Sequence, residues 1–92
     1  MNKERRNELK RAVTLLNDAQ GKIEAAKEIV EEVKDGEEEA YDNLPEGIQD
    51  SERGEMMQEN VDALDDVISE LDDIYDNIEE QIEATQEVID KR

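Results

Sequence analysis

Apolar residues recur along this chain at alternating three- and four-residue intervals in two long stretches, separated by a short polar stretch rich in helix breakers. In the first, Leu9, Leu16, Ile23 and Val30 alternate with Ala12, Ala19, Ala26 and Val33. In the second, Val61, Ile68, Tyr75, Ile82 and Ile89 alternate with Met57, Leu64, Leu71, Ile78 and Thr85. A sustained period near 3.5 residues lays a narrow apolar seam along one side of a helix, the pattern of a coiled coil. It predicts an all-α fold: one domain in which a helix over 3–42, a turn over 43–51 and a helix over 52–91 form a long antiparallel hairpin.

The predicted reversal has its own chemistry. Pro45 disfavours helical geometry at Leu44 and removes a backbone donor, Gly47 can adopt positive φ, and Asp50 or Ser51 can cap a helix opening at Glu52. Gly36 is a weaker breaker, because one glycine inside a helix costs only about 1 kcal/mol. Folding the chain about Gly47 sets Leu16 against Ile78, Ile23 against Leu71, Ala19 against Tyr75 and Ala26 against Ile68, so that small residues meet large ones as interdigitating layers require.

Composition changes the picture in two ways. A chain of 92 residues buries only a thin core, so helix pairing or self-association has to help. With 29 acidic and 11 basic residues the net charge is -18, which disfavours direct binding to nucleic acid or anionic membrane and points to a basic protein surface as partner. The same composition suits a disordered chain, but disorder gives no reason to keep apolar residues in heptad positions. There is neither cysteine nor histidine, which excludes disulfides, thiolate nucleophiles and the usual zinc ligands. No catalytic residue, metal site or cofactor motif is expected. No apolar run approaches the ~20 residues of a membrane span and the charged N-terminal stretch is unlike a leader, so the expected location is the cytoplasm of a bacterial host cell.

The two flanks of the predicted seam differ. On one, Lys27 and Lys34 lie beside Asp65 and Asp72, so that edge is closed by charge pairs. On the other lie Leu15, Ile29, Val67, Ile74 and Val88, which a two-helix hairpin cannot cover. This row predicts a homodimer in which two hairpins pair into a four-helix bundle.

The acidity belongs to the tip and the second helix. Residues 1–35 hold eight acids and eight bases, 36–50 six acids and no base, and 51–92 fifteen acids and three bases. On the outer face of the second helix Asp62, Asp66, Asp73, Asp76, Glu80, Glu83 and Glu87 follow one another at three-, four- and seven-residue intervals. One charge per ~3 Å of rod is about half the density of duplex DNA, which carries one per ~1.7 Å. An ordinary solvated face mixes Lys with Glu; this one does not. Such a face can serve solubility alone; its sign bias makes phosphate mimicry, in which the stripe occupies the basic groove of a nucleic-acid-binding host protein, the leading functional expectation. A structural or adaptor coiled coil, binding through its apolar flank and a tip formed by Tyr41, Leu44 and Ile48, is the alternative.

The tip also carries a resemblance. Tyr41-Asp42-Asn43-Leu44-Pro45-Glu46, followed by Gln49, Ser51, Glu52 and Arg53, resembles a segment of small acidic helical proteins carried by phages and mobile elements of Gram-positive bacteria. The resemblance covers about fifteen residues and the flanking helices. It implies a prophage or mobile-element setting and no particular activity; phage-borne acidic proteins include inhibitors of host defence enzymes, which is an analogy only.

Overall fold

The computed structural model describes residues 1–91. Helix α1 spans Lys3–Asp42, a single helical turn α2 spans Glu46–Gln49, and α3 spans Glu52–Asp90. The described residues contain no strand, and the molecule is a rod of 69 × 15 × 13 Å. It is an all-α helical hairpin.

Helix ends are satisfied locally. Asn2 caps α1 by accepting from the Arg5 backbone N–H at 2.9 Å. At the far end of α3 the Arg6 guanidinium donates to the Lys91 carbonyl at 2.6 Å, reaching across from α1 to a carbonyl beyond the last helical turn. Helix α1 runs unbroken through Gly36.

The reversal is built differently from the expectation. Gly47 does not take positive φ; no described residue does. It sits inside α2, whose turn opens at Pro45, the Pro45 carbonyl accepting from the N–H groups of Ile48 and Gln49 at 2.8 and 3.1 Å. Ser51 stands at the N-cap of α3 without a side-chain capping bond, its hydroxyl donating to the Ile48 carbonyl instead. Gln49 ties the reversal to α1 by donating its side-chain amide to the Tyr41 carbonyl at 3.2 Å, one of the carbonyls that the end of α1 leaves without an intrahelical partner. Gly54 is buried beneath it. A Cβ at that position would come within 2.9 Å of Gln49 Cα and closer still to its carbonyl group, so only glycine lets the two backbones meet.

The seam of α3 is the one its periodicity predicts: Met57, Val61, Leu64, Ile68, Leu71, Tyr75, Ile78, Ile82 and Thr85 are half-buried and Ile89 is buried. The seam of α1 is rolled by one residue. Leu9, Leu16, Ile23 and Val30 face α3, but the positions between them are filled by Val13, Gln20, Lys27 and Lys34, with Glu37 and Tyr41 continuing the row. Ala26 and Val33 are exposed, and Ala12 and Ala19 lie at the margin. The pairing about Gly47 is corrected accordingly. Cross-helix contacts join Arg6 to Lys91, Lys27 to Asp72, Lys34 to Asp65 and Glu37 to Asn60, and the midpoint of each pair falls between Ile48 and Asp50. The helices are thus displaced by about one turn from the expected register, which brings Ile23 opposite Tyr75 and Lys27 opposite Leu71.

The physical reason is the length of the polar side chains. Lys27 and Lys34 cover the seam with their aliphatic stems and carry their amines out to Asp72 and Asp65 at 2.6 Å, so a seam position needs no apolar residue to bury apolar carbon. The core is correspondingly thin. Among described residues Ile89, 7% exposed, is the one buried large hydrophobic, and the most enclosed polar side chain is Gln20 at 6%.

Candidate functional site

The hairpin presents three sides of different chemistry. On the first, Lys27 and Lys34 pair with Asp72 and Asp65, and each lysine also approaches an acid one turn further along α1, Glu31 at 3.7 Å and Glu38 at 3.9 Å. The hydrogen bond to Asp72 raises Lys27 above the ordinary lysine value of 10.5 against partial desolvation, and Asp65 does the same for Lys34. Gln20 extends this side, its amide donating to the Glu79 carboxylate at 2.8 Å and to the Tyr75 carbonyl at 3.3 Å. These bonds fix the relative position of the helices, because sliding either helix would leave a buried amide without partners.

The second side is the carboxylate stripe of α3. Asp62, Asp66, Asp73, Asp76, Glu80, Glu83 and Glu87 are all exposed, and none makes a hydrogen bond or ion pair with another described residue. The one uninterrupted helix sets their spacing: three- and four-residue steps correspond to about 4.5–6 Å along the axis. Asp65 and Asp72, next to stripe members in sequence, turn to the lysines and are electrostatically spent. Adjacent acids on one helix therefore do different things according to which side they face.

The third side is apolar. Leu15, Ile29, Val67, Ile74 and Val88 are exposed, Leu15 by 66% and Ile29 by 62%. Val33, expected inside the hairpin, joins them at 57%. With the seam of α1 rolled, Ala26 joins this outer row, and Ala12 and Ala19 sit on the boundary between it and the seam that faces α3. Periodicity alone cannot separate the two rows, since both repeat every seven residues and differ by one position.

At the tip, Tyr41 and Leu44 are half-buried and Ile48 is 40% exposed. Tyr41 does not project from the tip; it closes the seam of α1 and lines a shallow groove with Glu38, Gln58, Val61 and Asp62. Among described residues no group of three or more acidic side chains converges as a metal cage, and no helix is long and apolar enough to cross a membrane. Gln20, Gln49 and Gly54 were not singled out by the sequence pattern. The feature that could have found Gln20 is a polar residue at a seven-residue interval from Val13 and Lys27; nothing in the sequence alone distinguishes Gly54 from the other glycines.

No known protein family matches the chain, and no characterised protein or solved structure is significantly similar to it.

Proposed function

We propose that this chain is a non-enzymatic acidic binding module whose α3 stripe occupies the basic groove of a nucleic-acid-binding host protein, as an inhibitor or regulator acting by phosphate mimicry. The observation that carries the reading is the contrast between neighbouring carboxylates: the stripe of seven is solvent-facing and unpaired among the described residues, while Asp65 and Asp72 are consumed by lysines. A row of carboxylates on a straight helix is preorganised, so a cationic groove can engage it without ordering a flexible chain. The charge density is also in range. A net charge of -18 along 69 Å is one per roughly 4 Å, and two molecules side by side reach roughly one per 2 Å, close to the ~1.7 Å of duplex DNA. The tip resemblance supplies a setting, a phage or mobile element acting on its bacterial host, in the cytoplasm.

The adaptor reading draws on a different observation, the exposure of Leu15 and Ile29. It expects association that tolerates salt and survives charge reversal of the stripe. Replacing Asp66, Asp73, Asp76 and Glu80 with Lys and comparing the proteins captured from host lysate separates the two. Mimicry expects the captured set to vanish with the variant, and to be released from the wild type by duplex DNA and by salt, which screens charges beyond ~8 Å at physiological strength. Capture of the same set by the variant would overturn it.

A further inference from the structure

We infer that the apolar side of α1 is covered by a second copy of this chain lying antiparallel to the first, α1 against α1, so that the basic N-terminal half of each α1 runs along the acidic, tip-proximal half of the other. This goes beyond the mimicry reading and does not depend on it.

The first observation is a second heptad row on α1. Ala12, Leu15, Ala19, Ala26, Ile29 and Val33 recur at three-, four- and seven-residue spacing on a line offset from the seam that faces α3. A helix with one partner needs one apolar stripe; two stripes are the signature of a helix packed on two sides. The larger members of the row are among the most exposed hydrophobics of the described residues, of which the hairpin's own interior buries a single large one. A core that thin is what self-association ordinarily completes.

The second observation is independent and selects both the occupant and its direction. Residues 1–22 carry six bases and three acids, whereas residues 23–42 carry nine acids and two bases, and those two bases, Lys27 and Lys34, are already held by Asp72 and Asp65. In a molecule of net charge -18 the open end of α1 is the basic exception, and its complement in length, spacing and sign is the other half of the same helix. A two-fold axis across α1 satisfies both halves twice, as an isologous interface does. A parallel copy would set base against base and acid against acid. With the axis near Glu24, Leu15 meets the partner's Val33, and Ile29 meets the partner's Ala19, large against small. Val67, Ile74 and Val88 of α3 border the same side and complete a four-helix arrangement.

Because the chain contains no cysteine, spin labels can be placed singly. Arg11→Cys and Ala25→Cys both put the label on exposed positions of α1 on the side away from the seam that faces α3, Arg11 beside Leu15. For the inverted copy, electron–electron distance measurements should give roughly 40 Å or more between the two Arg11 positions, from 1.5 Å rise per residue on each side of the axis, and a distance shorter by about half between the two Ala25 positions, set by the width of the bundle. Equal distances at both sites would establish a parallel pair, and absence of dipolar coupling at either site would establish that another molecule covers the row; either result overturns the inference.

Discussion

The two long helices solve different problems with nearly equal lengths. Helix α3 has one continuous seam toward α1, a short exposed apolar flank of Val67, Ile74 and Val88, and an outer face of carboxylates. Helix α1 has two incomplete apolar lines, one interrupted by Gln20, Lys27, Lys34 and Glu37 and facing α3, the other built from alanines, Leu15, Ile29 and Val33 and facing outward. The difference teaches that a heptad pattern identifies a helix's partner only when the helix has a single partner. Where there are two, the apolar residues are shared between faces, and long polar side chains fill the vacancies by burying stems and exporting charge.

The comparison breaks most severely if the outer line of α1 is made polar. Leu15→Glu with Ile29→Glu should abolish self-association. Burial of an aliphatic side chain is worth about 1.5–3 kcal/mol, so the pair should cost several kcal/mol of assembly free energy and make thermal stability independent of protein concentration. Thermal melts over a hundredfold concentration range check this; unchanged behaviour would mean that the outer line is idle.

Next in size is the join between the helices. Gly54→Ala should destabilise by about 1–3 kcal/mol through its clash with the Gln49 backbone, although alanine is the better helix former. Gly36→Ala, where nothing lies within 4 Å, should instead stabilise by about 0.5–1 kcal/mol. Opposite signs for the same substitution in denaturant titrations would locate the steric constraint at the tip; equal signs would contradict it.

The lysine side of the hairpin sharpens the contrast through pH. Lys27 and Lys34 have raised pKa values, so the folded state holds their protons more tightly than the unfolded state. Their stabilisation is therefore fully present below the ordinary value of 10.5 and is lost as pH rises through the raised folded values. Wild-type melting should fall across that alkaline window by more than that of an Asp65→Asn, Asp72→Asn variant, with the effect smaller than that of Gly54→Ala. Parallel pH profiles for the two proteins would show that the ion pairs add nothing. The smallest expected change is with salt: screening the self-repulsion of a molecule at -18 should raise the melting temperature modestly as ionic strength increases.

Much of this was legible in the sequence. The hairpin, the seam of α3 and a flank closed by Lys27 and Lys34 with Asp65 and Asp72 follow from period and charge; which lysine meets which acid depends on the corrected register. The seam of α1 was not, because alanine fits either an inner or an outer row, and lysine at a seam position looks like a surface residue until its stem is placed. The register slipped for a related reason. Heptad pairing repeats only every seven residues, two turns, so the one-turn displacement is no heptad step and accompanies the roll of the α1 seam; the breakers Pro45 and Gly47 point to a reversal at Gly47, whereas the chain turns around Gln49 and packs it on Gly54, with no positive φ among the described residues. The acidic stripe was legible as a row; that its members are unpaired while Asp65 and Asp72 are not required the structure.

The central claim is that the apolar and acidic sides are separate surfaces with separate occupants. Sedimentation equilibrium on the wild type, the Leu15→Glu, Ile29→Glu variant and the Lys-for-acid stripe variant tests it most directly. The wild type and the stripe variant should sediment at about twice the chain mass of 10.6 kDa, and the apolar-side variant at the single-chain mass. A wild type that sediments at 10.6 kDa, or a stripe variant that falls apart, would contradict it.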